Sequence, residues 1–402
     1  MDIQIIDPTR YASWDDLLLS TPGCTFFHSS AWARVLSESY GYKPLYFAIM
    51  DNDKFRALVP IMEVKSFLTG KRGVSLPFTD YCDPIIEEEK EFVDLFDTII
   101  EQGRRRGWKY LGLRGGEKYL RSQESVVRSE ESESSDVFPV SCLLSPGSSF
   151  KKADLLPRIS QPAARNLFLP THNSQLGTWN IFPYITYLGH TLFLGKGEQS
   201  LYKGLRDSTK RNIKKAKAEG VDVRISDQPE SIDQFYNLNS VTRKRHGLPP
   251  QPFSFFKNVF ELVIKKGYGI VVIGLFEGNA IAASVFFHFG KKANYKYGAS
   301  DLQYQNLRTN NLVMWEAIRY YCGKGFDSLS MGRTEPENQG LIQFKSGWGA
   351  TEHQINYYRY DLKKESFVSG SLKVTGFHNK IFRNIPIPLL NRLGNILYRH
   401  VG

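Results

Sequence analysis

The chain has 402 residues, 41% hydrophobic and 23% charged, which excludes a disordered or fibrous chain and leaves room for two or three globular domains of roughly 100 to 200 residues each. Its 52 Lys and Arg against 41 Asp and Glu give a formal charge of +11, favouring anionic partners such as nucleic acid, phospholipid head groups or a pyrophosphate-linked substrate. The cysteines, Cys24, Cys82, Cys142 and Cys322, are scattered with no CxxC pair, so no zinc site or disulfide framework is signalled and a reducing compartment is expected.

A short strand is predicted over Ile3 to Ile6, then a helix opening at Ser29 or Ser30, both good caps, and closing at Gly41. Strands follow at Leu45 to Met50 and Phe55 to Val64 across the turn Asp51-Asn52-Asp53, with a third near Gly73 to Phe78. Next come a helix from about Glu88 to Arg106, with Phe92, Leu95, Phe96 and Ile99 at helical spacing, and a strand from Trp108 to Leu113. The Ser- and Glu-rich stretch 121–136 reads as a solvated insert. A single helix is predicted over Leu201 to Glu219; from Lys203 to Lys217 it carries seven bases around one acid, Asp207. Another starts at Pro229 and ends in Arg243-Lys244-Arg245-His246 before Gly247.

The first order of elements then returns. A helix from Pro252 precedes strands over Ile270 to Phe276 and Ala280 to Phe289, joined by Glu277-Gly278-Asn279. A strand from Asn294 to Ser300, a helix from near Asn310, a strand from Phe326 to Met331 and a loop bearing Phe344, Lys345 and Trp348 complete the echo. Two tandem copies of one α/β domain with mixed sheets are therefore expected, at 1–190 and 191–362. Residues 363–402 form a tail whose stretch from 366 onward has five Lys or Arg and no acid. Pro386 and Pro388 interrupt it, but Leu389 to Tyr398 can form an amphipathic helix, either packing across the two domains or lying on an anionic membrane surface. The start of the chain has no basic and apolar leader, and no run reaches roughly 18 apolar residues, so a cytoplasmic location, peripheral at most to the inner membrane face, is expected.

NLVMWEAI followed by Gly323, then MGR and then FKSGWGA resembles the second acyltransferase-like domain of the FemAB family, the non-ribosomal peptidyltransferases of cell-wall bridge synthesis, and the wider set of GNAT-like acyltransferases. SLYKGLRDSTKRNIKKAKAEGVDV, at residues 200 to 223, is similar to the basic helix that precedes that domain. With weaker likeness over 26–114, the resemblance covers most of the chain outside 120–185 and 363–402. It implies two GNAT-like domains and transfer of an acyl or aminoacyl group to an amine of a lipid-linked or nucleotide-linked cell-envelope precursor, such as a cell-wall or surface-polysaccharide precursor. The implied co-substrate is aminoacyl-tRNA or acyl-CoA, with no tightly bound cofactor or metal. Two departures stand out. Where a CoA-binding loop has glycines that wrap a pyrophosphate, this chain reads QNLRTNN. The long helical hairpin some family members use for tRNA is absent. The competing reading is a non-catalytic module for nucleic acid or anionic lipid.

Amide formation needs a neutral amine, donors for the tetrahedral oxyanion and cations for phosphates. No GxSxG or HExxH is present, so a covalent nucleophile is not expected. Lys345 matches the family's lysine beside an aromatic, Phe344, and is the candidate electrostatic clamp. Asp83, the candidate catalytic residue, and Asp80, a candidate substrate contact, are both candidates for orienting or deprotonating the amine; both sit in TDYCDP after the third strand. Arg333 of MGR, Arg243, Arg245 and Tyr297 are candidate substrate contacts, the resemblance implying a phosphate-binding base near 243–245. Lys210, Arg211 and Lys214, with Asn310 and Asn311 at a helix N-terminus, are candidate donor or anion contacts.

Overall fold

A computed structural model describes residues 2–52, 54–121, 181–370 and 377–401. The Ser- and Glu-rich stretch 121–136 lies, apart from Arg121, outside the described residues. The strands are β1 (Ile3–Ile6), β2 (Lys43–Asp51), β3 (Lys54–Ser66), β4 (Gly70–Val74), β5 (Ile85–Ile86), β6 (Tyr110–Arg114), β7 (Ile185–Phe193), β8 (Asp222–Ser226), β9 (Gly269–Phe276), β10 (Asn279–Phe289), β11 (Lys292–Ser300), β12 (Ser328–Thr334), β13 (Thr351–Asp361) and β14 (Ser366–Phe367). They form one sheet in the order β1-β2-β3-β4-β6-β13-β7-β12-β11-β10-β9-β8, with β5 on β3 and β14 on β13.

The repeat is visible in this order. An antiparallel run β1-β2-β3-β4 meets β6 in parallel, and an antiparallel run β8-β9-β10-β11 meets β12 in parallel. Helices Glu89–Arg106 and Thr309–Gly323 make the two crossovers. A parallel pair needs such a crossover, which is why each half alternates strand, helix, strand at this point. The halves then exchange strands: β13, late in the chain, pairs with β6, while β7 pairs with β12, and β7 and β13 pair with each other. Two GNAT-like halves are thus joined edge to edge through their last strands.

A shared core fixes their relation. Trp14, Phe26 and Trp32 of the first half are buried with Phe235, Phe255, Phe256 and Phe287 of the second. Phe26 and Phe287 have ring centroids 4.6 Å apart, and Trp32 lies 6.2 Å from Phe255. Each such side chain contributes about 1.5–3 kcal/mol by burial, so a loop of one half can be held in register with a site in the other.

Several local expectations change. The single helix over Leu201 to Glu219 is two, Glu198–Gly204 and Asp207–Ala218. Leu205 and Arg206 are extended between them, and Arg206 N–H donates to the Gly347 carbonyl, so a tertiary bond takes the place of a helical one. The expected loop at Phe344 and Lys345 is a helix, Gln339–Ser346, capped by the Asn338 side chain; Pro336, Gly340 and Gly347 around it read as turn residues and hid its short run. The strand expected to reach Phe78 stops at Val74. Leu76 and Phe78 adopt positive φ of 60° and 59°, a costly conformation for non-glycine residues that lifts the chain off the sheet toward the second half.

The tail packs across both halves. Leu390 is fully buried, Tyr42 Oη donates to the Tyr398 carbonyl (3.1 Å), and Arg72 Nη2 donates to the His400 carbonyl (2.9 Å). From the second half, Arg243 Nη2 donates to Tyr398 Oη (2.6 Å). Gly394 allows the closest approach, because a Cβ there would collide with the Pro250 carbonyl. Among the described residues no helix is long and apolar enough to cross a membrane.

Candidate functional site

The site lies where β11 and β12 part. These strands pair only over Lys292–Asn294 and Ser328–Ser330, and no pair forms beyond. Two irregularities widen the opening. On β11 the register with β10 shifts between Tyr295 and Tyr297, leaving Lys296 as the extra residue. On β12 the register with β7 shifts between Ser330 and Arg333, and Gly332 between them has φ of 69°. A bulge re-aims side chains. Tyr295 packs with Phe286 toward the Thr309–Gly323 helix, whereas Tyr297 packs against Phe255 and Phe256 in the shared core. Residues two apart in a regular strand would share a face; here they do not, and Lys296 is turned into the opening.

The result is a cavity of about 870 Å³. Among the described residues its charged walls carry Arg206, Arg245, Lys296, Arg308, Arg333 and Lys345 against two acids, Asp80 and Asp301. Asp80 comes from the first half, on the segment that leaves the sheet after β4, and its carboxylate meets Lys296 Nζ at 3.0 Å. That segment is held firmly. Trp32 Nε1 donates to Thr79 Oγ1 (3.0 Å) and Arg114 Nη1 to the Thr79 carbonyl (2.6 Å). Tyr357 Oη accepts from Arg333 Nη1 (2.7 Å) and lies 2.8 Å from the Asp80 carbonyl. Arg333 itself stacks over the Tyr187 ring at 4.6 Å.

Burial alone would push the Asp80 carboxyl up, but Lys296, Arg333 and Lys345 overcome it and hold Asp80 below the usual carboxylate range. Burial pulls the Lys296 amine down, with Asp80 opposing. Lys345, only 2% exposed, is brought by burial down to about 8, with Asp80 and Glu335 opposing. Its Nζ donates to the carbonyls of Gly332 (2.9 Å) and Arg333 (3.1 Å), which leaves one of three ammonium donors for a ligand. Gly332 permits this crowding: a Cβ there would lie 3.2 Å from the Asp80 carboxylate. Opposite stands the N-terminus of the Thr309–Gly323 helix. Arg308 occupies its cap position at φ of 58°, where a CoA-type loop has glycine, and the buried Thr309 Oγ1 on the wall has no hydrogen-bond partner among the described residues. Helix N–H groups, with Arg206 and Arg308 on the walls of the same cavity, are the chemistry that suits a phosphate.

Of the residues singled out from sequence, Lys345, Asp80, Arg333, Phe344, Arg245, Asn310 and Asn311 line the cavity. Asp83 does not: its Oδ1 accepts from Gly116 N–H at 2.6 Å beside Tyr81, committing it to a turn of the first half, and burial pushes its carboxyl up. Arg243 turns to Pro249 and Tyr398 instead. Tyr297 belongs to the core. Lys210 donates to the Lys203 carbonyl, and Lys210, Arg211 and Lys214 lie outside the cavity, which takes Arg206, Ser208, Thr209 and Asn212 from the start of the same helix. Lys296, Arg206 and Arg308 were missed. Of these, Lys296 carried a signal, as a cation between two tyrosines within a strand. Among the described residues no group of three or more His, Cys, Asp or Glu is placed to hold a metal ion.

Comparison with known proteins agrees with this fold. A family model described as an acetyltransferase (GNAT) domain matches residues 203–346, which hold every cation of the cavity wall. A crystal structure of FemX superposes with a TM-score of 0.61 at 12% identity, covering 90% of this chain and 98% of that one. The C-terminal domain of a putative lysylphosphatidylglycerol synthetase from Agrobacterium fabrum gives 0.50 at 10% identity, covering 85% and 89%. No curated protein sequence matches the chain. The chain thus has two tandem GNAT-like halves, a fold similar to that of FemX, and the residues that match the acetyltransferase (GNAT) model form the second-half side of its cavity.

Proposed function

We propose that the protein is an N-acyltransferase that forms an amide on an amino group of a cell-wall or surface-polysaccharide precursor, taking the acyl group from aminoacyl-tRNA or an acyl thioester. The observation that carries this reading is the buried Asp80–Lys296–Lys345 cluster at the floor of a cavity with six cations and two acids. In the reaction a C–N bond forms, the C–O bond of an ester or the C–S bond of a thioester breaks, and the amine proton ends on the leaving oxygen or sulfur. The third donor of Lys345 stabilises the oxyanion, a positioned charge acting where negative charge develops. Asp80, held ionised, is a weak base and serves to fix Lys296 rather than to take the proton. The helix N-terminus with Arg206 and Arg308 receives the donor's phosphate, and Arg245 an acidic group of the acceptor.

The test is incubation of the protein with pools of aminoacyl-tRNA or acyl-CoA and cell-envelope precursors, read by mass spectrometry for a new amide. A pH profile of kcat/KM adds a second check. Because burial brings Lys345 down to about 8, its ammonium is present below that pH and lost above it, so kcat/KM should show a descending limb at about pH 8 set against the rise that deprotonating the acceptor amine gives. A solvent-exposed lysine, near 10.4, would place that limb about two pH units higher.

A further inference from the structure

We propose that the outer face of the two C-terminal helices, with the β3–β4 turn, docks on the surface of an anionic phospholipid bilayer. Helices Phe377–Asn384 and Ile387–Val401 bury one side against both halves, and no other described residue covers the opposite side. That other side is an apolar groove of about 670 Å³ bordered by Ile381, Ile385, Pro386, Leu389, Leu393 and Ile396. Ile381, Leu389 and Ile396 are 46%, 50% and 58% exposed. Leu389, Leu393 and Ile396 follow one helical row. At the end of the same helix the ring of Phe67, 82% exposed, meets the buried His400 edge-on at 4.4 Å, next to exposed Leu68.

Charge selects the occupant. Residues 377–401 contain Lys380, Arg383, Arg392 and Arg399 and no acid, all four are exposed, and none forms an ion pair among the described residues. Apolar side chains at the centre of a face with unneutralised bases around them combine the two attractions that hold a peripheral helix at an anionic surface. The placement of this face also suits the cavity. The Asn379 carbonyl packs on Gly247, and Arg243 bonds Tyr398, so the helices abut the segment whose Arg245 and His246 line the cavity wall. A docked protein would hold that wall beside the lipid surface; this last consequence rests on the acyl-transfer reading, whereas docking itself does not.

The experiment is co-sedimentation of the full chain, without substrate, with vesicles of phosphatidylglycerol and phosphatidylcholine or of phosphatidylcholine alone. Binding should be at least tenfold tighter to the anionic vesicles and weaken in high salt. The double variant Leu389→Asp, Ile396→Asp should lose at least tenfold in affinity with an unchanged melting temperature, since both side chains are exposed. Arg383→Gln with Arg392→Gln, which leaves the apolar row intact, should abolish most of the preference for anionic vesicles. The inference is overturned if the full chain does not bind anionic vesicles, or if both variants bind as the unaltered protein does. It is equally overturned if the unaltered protein is a dimer that the Leu389 and Ile396 changes dissociate, since a second copy would then cover the groove. Failure of vesicle binding would leave amide formation in solution untouched, and failure of amide formation would leave vesicle binding untouched.

Discussion

Asp80→Ala should lower the unfolding free energy by about 3 kcal/mol, the lower end of the cost of breaking a buried ion pair because the Asp80 side chain is 21% exposed. Lys296, whose side chain is 5% exposed, would lose its counter-ion while Arg333 and Arg114 remain close by. Acyl transfer should be lost with it. Adding Lys296→Met should return most of the stability by removing the stranded charge, and should not return activity. Chemical denaturation of the two single variants and the double variant measures the coupling directly. Additive losses would mean that Asp80 and Lys296 do not form the pair that places the first half's loop at the site.

Lys345→Met should lower kcat by about 10²–10³, the usual loss when one oxyanion donor is removed, with KM nearly unchanged because the contact strengthens in the transition state. Its melting temperature should stay within a few degrees of the unaltered protein. The substitution removes two hydrogen bonds to Gly332 and Arg333, but it also removes an amine that burial has brought down to about 8, and these changes oppose each other. Activity and stability therefore separate at this residue, whereas at Asp80 they fall together. A large fall in melting temperature with normal kcat would assign Lys345 to packing.

The tandem fold was legible because element order survives where sequence identity between the halves does not. Gly41, Ser29 and the turn Glu277-Gly278-Asn279 mark boundaries by local chemistry, and the structure keeps all of them. The strand exchange of β7 and β13 was not legible, since pairing partners are a property of the assembled sheet rather than of any window of sequence. The same limit governs the site. Lys345 and Arg333 stood in a recognisable stretch, but Asp80 and Asp83, three residues apart, could not be told apart by type. Leu76 and Phe78 decide between them by lifting Asp80 across to Lys296, while Asp83 stays with Gly116. Lys296 itself is aimed by a bulge, which periodicity does not record. The break at Leu205–Arg206 depends on the Gly347 carbonyl, more than a hundred residues away.

The most direct measurement compares amide yield from the unaltered protein and from Lys345→Met, side by side, with the same donor pools and envelope precursors. A new acyl-amine product from the unaltered protein, reduced about a hundredfold or more in the variant, is the expected result. No product from the unaltered protein, under conditions where an established aminoacyl- or acyltransferase turns over, or equal yield from both proteins, would contradict acyl transfer in this cavity.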